Sequence, residues 1–267
     1  MCEVLEVSRS GFYRWLGRTP SARERRNQTL LGFLLGAAKT HFRTPGYRKL
    51  WKLAVDAGFA CSQNRVQRLL QAAGYRSIRS CRPGYQKPRP GMPTLPNLLN
   101  RAFQTKRPDQ VWVSDITQIR CQEGWLYVAI VMDLCSRRIV GWASGPQNDS
   151  WLVLRALKGA WKQRRPKTGN RLFHSDQGAQ YRSEEVMRWL TQHGFTLSMS
   201  RRGNCWDNAC AESFFAQMKQ EWIRPLGLLR RPEMQAEVTD YIEGFYNPVR
   251  LHGTLGGVPP SVFEATA

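Results

Sequence analysis

Residues 111–133, VWVSDITQIRCQEGWLYVAIVMD, decide the fold of the second half of the chain. Two β-rich runs, 111–119 and 125–133, flank Gly124, and the second run is apolar on both of its alternating faces. That pattern is typical of a strand buried in the middle of a sheet. Asp115 departs from it, because it is a charged residue inside the otherwise apolar first run. A buried carboxylate is costly unless it is paired or bound to a metal, so Asp115 is a candidate functional residue.

The rest of the second half continues with alternating strand and helix patterns. Three strands, followed by alternating helix and strand, describe an α/β architecture with a mixed sheet flanked by helices. The predicted elements are strands at 138–143, 171–174 and 195–199 and helices at 150–164, 183–193, 207–223 and 232–245.

The first 75 residues are predicted to be helical. A basic amphipathic segment, 47–57, ends at Gly58, and Ser62 is placed to cap a second helix over 63–73. Two short helices around a glycine-containing turn predict a helix-turn-helix-like unit over about 41–74, although an ordinary helical hairpin has the same pattern. The candidate nucleic-acid-binding residues of the second helix are Arg65 and Arg68.

A basic, proline-rich stretch separates these two parts. Residues 75–110 contain six of the 15 prolines, interleaved with lysines and arginines, which is typical of an extended linker. We therefore predict a helical DNA-binding region at 1–75, a linker at 76–108 and a catalytic core with a C-terminal helical extension at 109–267.

The positive charge is concentrated in the first part of the chain. The net charge is +20, and residues 1–110 hold 21 Lys and Arg against 5 Asp and Glu, whereas residues 111–267 hold 19 against 15. These positive charges repel one another unless a polyanion neutralises them. Nucleic acid is such a polyanion, and its binding is favoured because counterions are released from its phosphates. The charge thus favours DNA or RNA binding over a merely solubilising surface.

Cysteine usage and hydropathy bear on the compartment. The seven cysteines form no CxxC pair, which favours reduced thiols over a disulfide framework or a zinc site. No run of 18 apolar residues is present, so we expect no membrane span. Reduced thiols are typical of a cytosolic protein, so we expect a cytoplasmic location.

Two further carboxylates are placed to join Asp115. Asp176 follows a short predicted strand in FHSDQGAQY, and Glu212 lies in the helical segment DNACAESFFAQMKQEW. Three converging carboxylates can hold two divalent cations for phosphoryl transfer. The alternative is three unrelated acids, and Asp133 is the leading rival ligand. A role in turning the chain, or a pair with Arg137 or Arg138, is the preferred reading of Asp133.

The helix around Glu212 predicts which neighbours share its face. At about 100° per residue, Asn208 and Lys219 fall within about 40° of Glu212, whereas Glu221 points to the opposite side and is expected to be solvated. Asn208 and Lys219 are therefore candidate nucleic-acid-binding residues, with an ordinary exposed lysine as the alternative for Lys219.

Several motifs in order resemble one protein family. They are WVSDIT, YVAIVMDLCSRRIVGW, FHSDQGAQY, RRGNCWDNACAESFFAQMKQE and YNPVRLHGTLGGVPPSVF, with 35 residues between Asp176 and Glu212 and Lys219 seven residues further on. The chain resembles the OrfB-type transposases of bacterial insertion sequences, within the DDE transposase and retroviral integrase superfamily.

The resemblance implies an RNase H-like catalytic core and two Mg²⁺ ions, replaceable by Mn²⁺, held by Asp115, Asp176 and Glu212. It implies hydrolysis at the element's ends and attack of the freed 3′-hydroxyls on a second phosphodiester, by a homo-oligomer on DNA. Arg201 and Arg202 match a mobile loop that flanks the active site in such enzymes, and they are candidate DNA contacts. Arg250 and His252 match a terminal R-x-H motif, for which a hydrogen-bonding role of His252 is favoured over catalysis.

Three further expectations concern partners and alternatives. Many relatives are made as a fusion to an upstream OrfA protein, so an OrfA partner is expected. An RNase H-fold nuclease without strand transfer and a catalytically idle DNA-binding regulator of transposition remain alternatives, although all three acids are present.

Overall fold

The computed structural model describes residues 8–17, 19–78, 95–166, 169–201 and 205–266. The chain divides into two compact units, Met1–Ser77 and Ile78–Ala267. Residues 79–94, which make up most of the predicted linker, lie outside the described residues. The predicted boundaries at 75 and 108 therefore stay predictions.

The first unit is helical, with its own apolar core. Ser21 caps its longest helix together with Glu24, and Ser62 accepts a hydrogen bond from the Arg65 amide at the start of the last helix, as predicted. The helices are α1 Arg9–Leu16, α2 Ala22–Thr40, α3 Tyr47–Asp56 and α4 Gln63–Ala72. The core consists of Leu30, Leu34, Ala38, Leu50, Ala54, Val66 and Leu70.

The second unit is built on a five-stranded mixed sheet, as predicted. Its spatial order is β3-β2-β1-β4-β5; the first three strands pair antiparallel, and β4 and β5 pair parallel to β1 and to each other. The strands are β1 Val111–Cys121, β2 Gly124–Asp133, β3 Ile139–Gly145, β4 Arg171–Ser175 and β5 Phe195–Met199.

Helices cover both faces of this sheet. Alternate residues of β2 point to opposite sides: Val128 and Ile130 join the core under the C-terminal helices, and Ala129 and Val131 join the core under the two helices between strands. Those two helices are α5 Ser150–Arg164 and α6 Glu184–Gln192, and the C-terminal helices are α7 Ala209–Met218, α8 Arg224–Leu226, α9 Arg231–Thr239 and α10 Pro260–Ala265. A strand buried on both faces explains the apolar run of β2.

The two long helices predicted at 207–223 and 232–245 are each interrupted. Cys205–Asn208 is a 3-10 turn, and π-helical segments occupy Lys219–Ile223 and Asp240–Tyr246. Trp222 of the first π segment stacks on Phe245 of the second, with ring centroids 5.4 Å apart. The wider π-helical turns thus occur where the two helices contact each other. A regular period of 3.6 residues does not predict them.

No helix in the described part of the chain is both long and apolar enough to cross a bilayer.

Candidate active site

Strand register brings Asp115 and Asp176 together. Strand β1 pairs in parallel with β4, and Val113 lies opposite His174. Asp115 follows Val113 by two residues, and Asp176 follows His174 by two residues. The two carboxylates therefore lie at the same level of adjacent strands, where β4 ends.

A hydrogen bond positions the helix that carries Glu212. The Asn208 side-chain amide donates to the backbone carbonyl of Ser114, the neighbour of Asp115, at 3.2 Å. Helix α7 begins at the next residue, and Glu212 follows Asn208 by four residues, about one helical turn. Helix α7, which carries Glu212, therefore begins beside β1 next to Asp115.

The electrostatics show that the three acids affect one another. The pKa of Asp115 is raised to about 7, first by burial, then by the negative charge of Asp176 and, to a smaller extent, of Glu212. The Ile116 amide, which donates to the Asp115 carboxylate at 2.8 Å, and the Lys219 ammonium act in the opposite direction. Asp115 is therefore a carboxyl group that needs a further positive charge to stay ionised at neutral pH.

The other two carboxylates are perturbed in the same sense. Desolvation by the surrounding protein raises the pKa of Asp176 although its side chain reaches solvent, and the Gly178 amide and Arg182 offset this only in part. Desolvation and the charge of Asp176 raise the pKa of Glu212. Among the side chains that the structure describes, no three His, Cys, Asp or Glu groups lie close enough to hold a metal ion as they stand. The three acids thus influence one another electrostatically but do not form a complete metal site in this structure.

Lys219 is half-buried beside these acids. Burial lowers the pKa of its ammonium group, and the charge of Asp115 partly restores it. Asp115 thus interacts electrostatically with Asp176, Glu212 and Lys219, and the role of these four residues in catalysis or DNA binding stays a prediction.

Sequence reasoning missed a tyrosine that supports this group. The buried Tyr181 hydroxyl lies 2.9 Å from the Ser114 hydroxyl, and Ser114 donates to the Ile130 carbonyl on β2 at 2.6 Å. Burial, together with the charge of Asp115, raises the pKa of Tyr181 well above its usual value. Its place in the quoted motif FHSDQGAQY was the available signal.

His174 was missed as well. Its ring is fully buried, with Nδ1 2.8 Å from the Ser198 hydroxyl and Nε2 3.1 Å from the Ser200 hydroxyl. These contacts join the ends of β4 and β5 immediately before Asp176. A histidine inside an apolar strand, two residues before a candidate acid, was the signal.

Comparison with known proteins identifies the family. Models of an integrase core domain match residues 105–205 and 193–260, and a model of an HTH-like domain matches residues 25–82. Transposase InsF for insertion sequence IS3A from Escherichia coli K12 is 37% identical over 268 residues, covering 99% of this chain and 92% of the relative. The chain belongs to the IS3-family transposases. A 31 kDa protein of insertion element IS600 from Shigella sonnei is 36% identical and covers 99% of this chain and 97% of that protein.

Solved structures with a similar fold come from retroviral integrases. The HTLV-2 integrase catalytic core domain in complex with magnesium is 13% identical, with a TM-score of 0.46, and covers 59% of this chain and 97% of that one. The simian T-cell lymphotropic virus intasome is 15% identical, with a TM-score of 0.49, and covers 85% of this chain and 74% of that one.

The family models and the InsF relative confirm the predicted family, its integrase-type core domain and the helix-turn-helix-like N-terminal region. The protein is a DNA transposase, a polynucleotidyl transferase that binds DNA.

Asp133, the rival ligand, is committed to a turn in this transposase. Its Oδ1 accepts hydrogen bonds from the amides of Cys135 and Ser136, and its Oδ2 accepts one from the amide of Asp109. The preferred reading, that Asp133 turns the chain, is confirmed. Its carboxylate oxygens are bound by backbone amides of the turn after β2 and of the segment before β1.

The prediction that Glu221 is solvated was wrong. Glu221 is buried and accepts two hydrogen bonds from Arg250, from Nε at 2.6 Å and from Nη2 at 2.7 Å. Glu221 lies in the π-helical turn after α7, and Arg250 of the C-terminal segment covers it. This pair also gives Arg250 of the R-x-H motif a structural role, while the Nδ1 of His252 lies 2.9 Å from the Thr254 hydroxyl.

The structure places the candidate DNA contacts as follows. On α4, Arg68 is exposed, and Arg65 donates from Nε to the Asn27 side chain at 2.9 Å. Asn208 is buried, and Arg201 is half-exposed and binds Asp207. Arg202 lies outside the described residues. A DNA contact at each of these residues stays a prediction.

Proposed function

We propose that this transposase cuts DNA at the ends of its insertion sequence and joins the freed 3′-hydroxyls to target DNA, using Asp115, Asp176 and Glu212 to bind divalent metal ions. The observation that supports this most strongly is the register of β1 and β4, which sets Asp115 level with Asp176, while the Asn208–Ser114 hydrogen bond brings the helix of Glu212 alongside. We further propose two Mg²⁺ ions, replaceable by Mn²⁺.

The chemical groups of these three residues suit such ions. Carboxylate oxygens are the ligands that Mg²⁺ prefers in proteins. Lys219 lowers the pKa of Asp115 and Arg182 lowers that of Asp176, and these two cations leave an excess of negative charge among three acids. When bound, divalent ions supply the positive charge that activates an attacking oxygen and stabilises a leaving oxygen in phosphoryl transfer.

The chain's own residues position the DNA and the acids. Strand β1 holds Asp115 firmly, because Ser114 is tied on one side to β2 and Tyr181 and on the other side to Asn208. Lys219 presents its ammonium group beside the acids, where it can bind a phosphate near the bond to be cut. Arg201 lies next to this region and is proposed as another DNA contact.

Recognition of the insertion-sequence ends belongs to the N-terminal unit in this proposal. Helix α4 would read the DNA, with Arg68 and Arg65 on its accessible side. Because two ends must be processed together, we propose a homo-oligomer on DNA, working with an upstream OrfA protein. This places the protein at the nucleoid of the bacterial cytoplasm.

Carboxylate-to-amide variants test the proposal. Purified protein with Mg²⁺ is incubated with labelled element-end DNA and a target duplex, and nicked and joined products are measured. Asp115→Asn, Asp176→Asn and Glu212→Gln should each lower cutting and joining by at least a hundredfold while binding the DNA with unchanged affinity. Glu184→Gln, which removes an exposed acid on α6, is the matched control and should be as active as the wild type.

Each product pattern has a distinct meaning. Joined products from the wild type support strand transfer, whereas nicks alone indicate a nuclease and a shifted but intact probe indicates a regulator. Normal cutting by Asp115→Asn would show that the acids are wrongly assigned.

A further inference from the structure

A buried carboxylate holds two half-exposed arginines next to the proposed active site. Asp207 accepts hydrogen bonds from Arg201 at the backbone amide (2.9 Å), at Nε (2.9 Å) and at Nη2 (3.0 Å). It also accepts one from Nε of Arg101, at 3.0 Å. Arg101 and Arg201, which are far apart in the sequence, thus bind the same carboxylate. We call the three residues the Arg101–Asp207–Arg201 cluster.

The exposure of the three side chains is uneven. The side chain of Asp207 is 0% exposed, whereas those of Arg101 and Arg201 are 46% and 52% exposed. The two guanidinium groups hold the pKa of Asp207 well below its usual range, so the carboxylate stays ionised. The cluster therefore carries a net charge of one positive unit, and its positive parts face solvent.

The backbone on the Arg101 side is held in an unfavourable conformation. Asn100 and Arg101 are consecutive non-glycine residues with left-handed φ values of 43° and 62°. The Asn100 amide donates to the Asn97 side chain at 2.8 Å, and the Leu98 amide donates to the Ser198 hydroxyl at 2.9 Å. Backbone strain of this kind persists only where surrounding contacts enforce it, and it is concentrated at functional sites.

The cluster is directly connected to the proposed catalytic group. Asp207 is followed by Asn208, whose side chain donates to the carbonyl of Ser114, the neighbour of Asp115. Ser198, which holds the Arg101 segment, also contacts His174, two residues before Asp176. The arginines are thus connected to β1, which carries Asp115, and to β4, which ends directly before Asp176.

We propose that Arg101 and Arg201 form a phosphate-binding site for the DNA strand that leads to the catalytic acids, with Asp207 fixing the orientation of both guanidinium groups. Arginine binds phosphate through its N–H groups, and Arg101 keeps both Nη nitrogens and Arg201 keeps Nη1 beyond those bound to Asp207. A carboxylate that orients an arginine reduces the side-chain entropy lost when a phosphate binds. The proposal rests on the proposed function in one respect, that DNA is handled at Asp115, Asp176 and Glu212.

The salt dependence of DNA affinity tests the site without catalysis. The dissociation constant of the full chain for labelled element-end duplex is measured in EDTA from about 50 to 300 mM KCl. For each phosphate contact removed, the slope of log K against log salt should fall by about 0.9. Arg101→Ala and Arg201→Ala should each lower the slope by about that amount, and the double variant by about twice as much.

Two further variants separate phosphate binding from support of the fold. Arg188→Ala removes an exposed arginine that is paired with Glu184 on α6, and it should leave the slope unchanged. Arg101→Lys keeps the charge but loses the planar fork, so it should retain the slope and lower the rate of strand joining at saturating DNA severalfold.

The results that overturn the proposal are equally specific. An Arg101→Ala, Arg201→Ala protein with the wild-type melting temperature and the wild-type slope has no phosphate contact at this cluster. If the double variant melts at a lower temperature than the wild type, the Arg101→Lys variant is used instead. A joining rate equal to that of the wild type in this variant also rejects the site. Because the slope is measured without metal, a wild type that binds but does not join DNA would contradict the proposed function alone.

Discussion

The buried imidazole of His174 sets a pH limit on the stability of the catalytic unit. Burial between the hydroxyls of Ser198 and Ser200 lowers its pKa to about 4, against an ordinary value of about 6.5. The folded chain thus keeps His174 neutral above about pH 4, whereas the unfolded chain protonates it below about pH 6.5. Between these values the unfolded state binds more protons, so stability is lost as the pH falls.

We therefore expect the wild type to lose about 2 kcal/mol of unfolding free energy from this residue between pH 7.5 and pH 5. His174→Gln removes the titrating group, and its unfolding free energy should depend less on pH over that range by the same amount. Urea unfolding at the two pH values measures the difference. Equal pH dependence in the two proteins would show that His174 is not held neutral by its surroundings.

Gly141 allows β3 to lie directly against α5. A Cβ atom at this position would come within 2.4 Å of the Ala156 carbonyl oxygen and 2.5 Å of the Ala160 amide nitrogen, both of which are backbone atoms. Gly141→Ala should therefore lower the unfolding free energy by about 1–3 kcal/mol, because strand and helix must move apart. Thermal or urea unfolding checks this.

Gly159 of α5, the helix against which Gly141 packs, provides the matched control. A Cβ there has no neighbour within 4 Å, and alanine is the better helix former, so Gly159→Ala should raise the unfolding free energy by up to about 1 kcal/mol. If both alanine variants were equally stable, the close approach at Gly141 would be disproved.

At the scale of elements, the buried pair of Glu221 and Arg250 joins the π-helical turn after α7 to the C-terminal segment. Both hydrogen bonds are short, and the two side chains are 0% and 2% exposed. Removing one partner leaves a buried charge without compensation, which is far more costly than losing an exposed ion pair.

Glu221→Gln should accordingly lower the unfolding free energy by about 3–5 kcal/mol, as measured by urea unfolding. The exposed pair of Glu184 and Arg188 is the comparison, and Glu184→Gln should change it by less than about 1 kcal/mol. Replacing both buried partners, as in Glu221→Gln with Arg250→Met, should recover part of the loss. Similar losses in Glu221→Gln and Glu184→Gln would mean that water compensates the buried arginine.

At the scale of the whole molecule, the distribution of charge governs DNA affinity. Of the 40 lysines and arginines, 21 lie in the first 110 residues, where 5 acids accompany them. Affinity for DNA that depends on phosphate contacts falls steeply with salt, because each contact releases counterions.

We expect the affinity of the full chain for duplex DNA to fall on the order of a thousandfold between 50 and 200 mM salt, in a fluorescence-anisotropy titration. Nonspecific duplex should show a similar slope, because phosphates have the same charge in every sequence. A flat response over this range would contradict binding dominated by phosphate contacts.

Local sequence patterns predicted most of the architecture and singled out the candidate acids. The apolar run of β2 follows from its burial on both faces, and Asp115 stands out because burying a carboxylate is costly. Helical periodicity placed Asn208, Glu212 and Lys219 in one row, because side chains one turn apart share a face. These properties belong to single strands and helices, so the amino-acid order is sufficient to reveal them.

Only the tertiary structure decided what covers each face and which distant groups meet. Glu221, which the sequence predicts to be solvated, is buried, because Arg250 of the C-terminal segment packs against it. Arg101 reaches Asp207 across more than a hundred residues of sequence. Periodicity records the direction of a side chain within its own element, whereas its partner and its exposure to water depend on the packing of elements that are remote in the chain.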